Sequence, residues 1–181
     1  MDITTTLTAS AVPARLMAPT EIRDAYRDVL GKFCTGVVVV TARDVNEEPI
    51  GLTVGSFSSV SMEPALVAFF VGHGSTTFPK VREYGHFCAN ILAADQHDLG
   101  RTFARRGADK FDGVEWSAAA TGSPRLAGAH AWIDCVVDDV HAVGDHDLVV
   151  GRITELGASA QREPLLFYSS TFHRLHPAGT P

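Results

Sequence analysis

The chain has 181 residues, about one ordinary domain, and at that length folding can bury roughly 70% of the surface an unfolded chain exposes. Its 45% hydrophobic and 20% charged residues exclude the polar, charge-rich balance that keeps chains disordered. Fifteen basic against 21 acidic residues leave a net charge of −6, which argues against nucleic acid or an anionic membrane as partner, because both need a positive field.

Residues 1–18 are Thr/Ala-rich without a sustained period and read as a mobile leader, followed by one domain over 19–176 and a short tail, 177–181. The leader lacks a basic start and an apolar block, and no apolar run is long enough to span a bilayer, so a cytoplasmic protein is expected. Cys34, Cys88 and Cys135 sit far apart in apolar runs and read as buried reduced thiols; no Cys/His spacing supports a metal site.

A helix is predicted from Pro19 to Leu30, where Ile22, Tyr26, Val29, Leu30 and Phe33 fall at helical spacing and form a stripe expected to face a core. Short strand-like runs follow at 37–41, 50–57, 66–71 and 87–92, the first two joined by a polar connector at 44–49. Two short helices interrupt them. One follows Ser75 with Phe78, Val81 and Tyr84 before Gly85, and the other opens at Asp95 with Leu99 and Phe103 before Gly107. Runs 131–143 and 146–156 flank Gly144-Asp145 as a long hairpin, and a last pair is expected at 165–168 and 172–175. Seven or eight strands that do not alternate with helices predict a mostly β protein, an antiparallel barrel with peripheral helices.

The densest polar segment runs from Gly51 to Ser61, where Thr53, Ser56, Ser58, Ser59 and Ser61 lie between apolar runs. Such a segment suits a flat polar ligand, or is simply a Ser-rich strand end and turn. In Gly74-Ser75-Thr76-Thr77-Phe78-Pro79-Lys80, hydroxyls at a helix start with Lys80 one turn on would cradle a phosphate, or would cap an ordinary helix. Asn90 lies inside an apolar strand, where its amide needs partners from a ligand edge or a neighbouring backbone. His146 leaves a hairpin turn toward ligand or solvent, and the stretch Phe103 to Phe111 mixes aromatic rings with Arg105, Arg106 and Lys110. The chain has no nucleophile elbow, Walker loop or GxGxxG, so hydrolase and P-loop chemistry have no carrier.

In order along the chain, Phe33-x-Thr35-Gly36-Val37, Pro49-x-Gly51-x-Thr53-x-x-Ser56-Phe57-x-Ser59-Val60-Ser61-x-x-Pro64, Ser75-x-Thr77, Phe87-x-x-Asn90-Ile91-Leu92, Phe103-Ala104 with Lys110-Phe111, Gly144-Asp145-His146 and Pro164-Leu165-x-x-Tyr168 resemble the flavin reductase family. Members have the FMN-binding split-barrel fold and serve as reductase components of two-component flavin-dependent monooxygenases. The resemblance covers about residues 20–176. It implies a flavin, FMN or FAD, lying against Thr53, Ser56, Phe57, Ser58 and Ser59, with its phosphate on the Ser75/Thr77 turn near Lys80. Asn90, Phe103, Lys110, Phe111 and Tyr168 would belong to the same site.

It further implies that His146 meets the nicotinamide nucleotide, and that the protein is a homodimer. The function implied is an NAD(P)H:flavin oxidoreductase that supplies reduced flavin to a partner monooxygenase. A flavin-bound oxidoreductase with another acceptor and a non-enzymatic flavin-binding protein are the alternatives. NADH is expected over NADPH, since no basic cluster can be assigned to a 2′-phosphate. Gly72-His73-Gly74 departs from the family's more polar approach to the Ser75 turn.

Overall fold

A computed structural model describes residues 16–107 and 109–176. The expected tail, and the expected leader up to residue 15, lie outside the described residues.

In chain order the elements are α1 (Pro19–Leu30), β1 (Thr35–Gly36), β2 (Val38–Arg43), β3 (Pro49–Val54), β4 (Ser58–Met62), β5 (Ala65–Gly72), α2 (Phe78–Tyr84), β6 (His86–Ile91) and α3 (His97–Ala104). They continue with β7 (Trp116–Ala118), β8 (Pro124–Leu126), β9 (Ala131–Val143), β10 (His146–Ala158), β11 (Leu165–Tyr168) and β12 (Thr171–Arg174). Seven strands form one antiparallel sheet in the order β3-β2-β6-β9-β10-β5-β4, and β3 approaches β5 as the sheet curls round. Strands β1, β11 and β12 form a second sheet, and β7 with β8 a third. This is the expected mostly β, antiparallel split barrel with peripheral helices.

Alternation along the strands divides the core in two. Val38, Val40 and Ala42 of β2 point into one cluster with Phe69, Phe78, Val81 and Phe87, inside the curled sheet and under α2. Val37 and Val39 point the other way, to Leu92, Phe103, Leu126 and Leu165. A strand buried on both faces reads in sequence as the continuous apolar run seen at 37–40.

The long β9–β10 hairpin turns on Gly144-Asp145, with Val143 opposite His146. Gly144 has φ +64°, a region open to glycine at no steric cost, and this tight turn fixes the register that puts His146 beside Gly72 of β5.

Four expectations need correction. The run 50–57 is not one strand: β3 ends at Val54, and β4 begins at Ser58 as an edge strand paired only with β5. Gly55 and the bonding of the Ser56 hydroxyl to the backbone of Phe70 divide them. Short pairings missed in the sequence, β1, β4, β7 and β8, bring the described strands to twelve. Helix α1 forms as expected, with Ala18 N–H donating to Glu21 Oε2 at 2.7 Å, but it buries no residue, and Ile22, Tyr26, Val29 and Leu30 are about half exposed. Cys34 is exposed, because it follows that unburied helix; Cys88 and Cys135 are fully buried, and desolvation pushes the Cys88 thiol up to about 12.

Candidate functional site

Where the curled sheet opens, the end of β3 with Gly55 and Ser56 faces the end of β5, leaving a cleft of about 470 Å³. Its floor is Leu52, Thr53 and Val54, and Phe70 to Gly72 form the opposite wall. The turn 74–77 and the end of α3 close two further sides, and His146 stands at the rim.

Two hydroxyls hold the frame and do not project as free ligands. Thr53 Oγ1 donates to Gly100 O at 2.8 Å, fastening β3 to α3. Ser56 Oγ accepts from Phe70 N at 2.9 Å and donates to Phe70 O at 3.1 Å, continuing the β4–β5 pairing to the mouth of the cleft. Ser75 Oγ accepts from Phe78 N at 3.1 Å, so of the two readings of that turn its hydroxyl performs the capping, while Thr76 and Thr77 face the cavity.

The charge of the cleft runs against that of the chain. Arg105, Arg106 and Lys110 line it and, among the described residues, no carboxylate does, although the protein as a whole carries −6. Among the described residues, none of these three cations has a carboxylate within ion-pair range. The Arg106 guanidinium lies 3.1 Å from where a Cβ on Gly74 would stand, so glycine there lets the cation close over the turn. Lys110 Nζ donates to Gly51 O at 3.0 Å and Phe103 O at 3.1 Å, and partial burial lowers its pKa. A partly desolvated cation without a counter-ion gains most from an anionic ligand.

At the rim, His146 Nδ1 and Asp145 Oδ1 are 2.6 Å apart. This bond is the main cause holding the Asp145 carboxyl below its usual range, and with that carboxylate ionised Nδ1 is the donor. The ring then lies over Gly72, with Nε2 3.6 Å from the Cβ position of that glycine. Beside it, His73 Nε2 pairs with Asp147 Oδ1 at 3.3 Å, and His73 N–H donates to Asp145 O at 3.0 Å.

Of the residues expected at the site, Thr53, Ser56, Ser75, Thr77, Phe103, Lys110 and His146 come together on this cleft. Lys80 and Phe111 line an adjoining chamber instead, and Lys80 Nζ is bonded to Asp44 Oδ2 at 3.1 Å. Others are placed elsewhere. Phe57 packs against the main core, while Ser58 and Ser59 are exposed on β4, where the Ser58 hydroxyl donates to Ser59 O.

Asn90 is fully buried away from the cleft. Its Nδ2 is within bonding distance of the carbonyls of Val39, Cys88 and Pro124 and of Thr41 Oγ1, and its Oδ1 accepts from Leu126 N at 2.8 Å. It therefore ties the β7–β8 flap to the sheet. Tyr168 turns its ring toward His173; its neighbour Phe167, on the opposite face, closes a small apolar recess of about 160 Å³ that shares Thr53 to Gly55 with the cleft. Phe70 on the cleft and Phe167 on the recess carry no local sign in the sequence, whereas Thr76 belongs to the hydroxyl segment already singled out there. Arg105 and Arg106 lie in the stretch of mixed aromatic rings and cations from Phe103 to Phe111.

Fold and cleft together define an antiparallel β protein with a cleft, lined by three cations, between a curled sheet and the end of a helix. Residues 30–176 match the flavin reductase like domain. The chain is 43% identical over 143 residues to a flavin reductase of Pseudomonas putida, covering 79% of this chain and 84% of that one. It is 39% identical over 155 residues to HsaB, the reductase subunit of a flavin-dependent monooxygenase of Rhodococcus jostii, covering 86% and 79%. Among solved structures it matches the Streptomyces globisporus NADH:FAD oxidoreductase SgcE6, in complex with NAD and FAD fragments, with TM-score 0.83 and 34% identity over 92% of this chain and 100% of that one. The chain belongs to the flavin reductase like domain family.

Proposed function

We propose that this protein is an NAD(P)H:flavin oxidoreductase that accepts hydride on FMN or FAD and supplies reduced flavin to a separate monooxygenase. The observation that carries this reading is the cleft lined by three cations and, among the described residues, by no carboxylate, in a protein of net charge −6. The relatives named as flavin reductase and as the reductase subunit of a monooxygenase support it.

A bound flavin supplies the hydride-accepting chemistry, so the protein's part is binding, orientation and electrostatics. Arg105, Arg106 and Lys110 would hold the phosphate end of the ligand and raise its local concentration through their field. Leu52, Val54 and Phe70 offer the apolar walls against which a flat ring can lie. The strap from Ser56 to Phe70 carries the β4–β5 pairing to the mouth of that slot. His146, fixed by Asp145, stands where a second nucleotide would enter. Its role is to position the nicotinamide at close approach, and no proton transfer from it is required.

The exposed stripe of α1, with Val60 and the 95%-exposed Met62 of β4, supports a homodimer in which a second copy covers apolar surface left open by one chain. Sedimentation of a monomer at micromolar concentration, with activity retained, would contradict it. The function itself is tested by following nicotinamide absorbance when purified protein is mixed with NADH, with and without free FMN or FAD. Oxidation that needs added flavin is the expected result; no oxidation under either condition would refute the proposal.

A further inference from the structure

The two ends of the β9–β10 hairpin belong to different hollows. His146 at one end stands at the cleft, whereas Trp132 and Ala158 at the other line a hollow of about 550 Å³, within the ~300–1,000 Å³ range of small-molecule sites. Each strand has 13 residues, so roughly 40 Å of extended chain separates the two ends. The hollows share no lining residue, and the β7–β8 flap supplies a wall of the second one.

Arg125 is built into this wall with nothing charged to hold. Register sets it opposite Ser117 on one face of the flap, and its Nε and Nη2 both donate to Ser117 Oγ, at 3.2 and 3.0 Å. Its guanidinium carbon lies 4.8 Å from the centre of the Trp132 ring, a cation–π contact. That indole in turn rests on Gly157, where a Cβ would fall 2.9 Å from three ring atoms, so glycine there lets the ring lie against the strand. A hydroxyl and an indole thus fix the guanidinium. Among the described residues Arg125 has no carboxylate within ion-pair range.

The other charges of the hollow are placed differently. Arg162 lies flat on Gly128, with three guanidinium atoms each 3.4 Å from the Cβ position of that glycine, and its charge is taken by Asp95 at 3.1 Å. Glu115 is diagonal to Arg125 on the flap and is not paired with it. A partly desolvated guanidinium held only by neutral groups gains most from an anion, and its planar fork matches a carboxylate. Inorganic phosphate would satisfy the fork and leave the apolar lining of Trp116, Leu126 and Ala129 bare. A flat apolar body attached to the acid covers it.

We propose that this hollow is a second ligand site, for an aromatic carboxylate whose acid group pairs with Arg125. Such a ligand is either a simple aromatic acid or an aromatic amino acid whose ammonium meets Glu115. The site is independent of the flavin reading.

Isothermal titration calorimetry of the full chain with phenylacetate, L-phenylalanine and the uncharged 2-phenylethanol, with and without saturating FMN, tests it. Each titration is repeated on Arg125→Met and on Ala127→Phe, which fills the hollow from the residue after β8 and leaves Arg125 in place. Thermal unfolding checks that each variant is folded; if Arg125→Met is not, Ala127→Phe and the uncharged analogue decide. At least one acid should bind with a Kd of about 1 mM or tighter in the presence of FMN, with 2-phenylethanol about tenfold or more weaker. Both substitutions should weaken the acid by a similar factor. Phenylalanine binding more tightly than phenylacetate, with that preference lost in Glu115→Gln, supports the site as one for an amino acid; phenylacetate binding as tightly or more so supports it as one for a simple acid. Failure of both acids to bind would overturn the proposal. So would binding that FMN abolishes or that neither substitution weakens, which would put the acid in the cationic cleft or elsewhere.

Discussion

Ser56 and Phe70, fourteen residues apart, are joined twice: one hydroxyl accepts from the Phe70 N–H at 2.9 Å and donates to its carbonyl at 3.1 Å. A side chain thereby carries the β4–β5 pairing, in which Ser58 stands opposite Ala68, one step further toward the end of β3, at the mouth of the cleft that Ser56 and Phe70 line.

Ser56→Ala removes both bonds and leaves two backbone groups of Phe70 to be satisfied by water. We expect stability to fall by about 1–2 kcal/mol and flavin affinity to fall with it. Urea denaturation and flavin titration of the variant measure the two effects; unchanged values in both would show that the strap has no part in shaping the cleft.

The His146 and Asp145 pair predicts a separation of kinetic constants. His146→Ala should raise the KM for NADH and slow flavin reduction less than about tenfold, leaving flavin affinity intact, because positioning is lost and no proton donor is removed. Asp145→Asn should move the same parameters in the same direction by a smaller factor. A fall of about 10²-fold or more in kcat at saturating NADH, with a titration step lost from the pH profile, would make His146 an essential acid.

Asp44 predicts acid sensitivity in a known direction. The Asn46 N–H at 2.9 Å and the Lys80 ammonium at 3.1 Å hold its carboxyl below the usual 3.8, so the folded state favours the ionised form. A lowered folded pKa gives stability that is present above the ordinary value and is lost as pH falls through the folded value. Thermal denaturation between pH 6 and pH 3, roughly the span over which carboxylates titrate, should show a loss at the acid end that is smaller in Asp44→Asn. Equal acid loss in both proteins would remove Asp44 from the account.

The cysteines differ in exposure, and labelling should show it. In the native protein at about pH 8, a value near that of a free thiol, a thiol reagent should modify Cys34 quickly. Cys88 and Cys135 should react only on denaturation, since burial raises both of their pKa values. Peptide mapping identifies the site, and rapid native labelling at Cys88 would contradict the packing of β6.

Much of this was legible in the sequence where the signal is local. The β9–β10 hairpin is written in Gly144-Asp145 between two long apolar runs, and the doubly buried β2 in its unbroken valines. What escaped depends on distant partners. Asn90 in an apolar strand announces a buried amide, but the donor to its oxygen is the Leu126 N–H of a short flap whose pairing no local pattern reveals. Tyr168 and Phe167 differ by one residue, and alternation in β11 sends them to opposite faces, so the ring that borders the recess beside the cleft is that of Phe167. The periodicity of α1 is correct and still does not tell a stripe that meets its own core from one left for another surface.

The central claim is that the cleft passes hydride to a flavin that then leaves. Anaerobic mixing of protein, excess flavin and NADH, followed by ultrafiltration and spectra of the filtrate, tests it directly. Reduced flavin is expected in the filtrate, in amounts exceeding the protein many times over. Reduction limited to one flavin per chain and retained with the protein would contradict it.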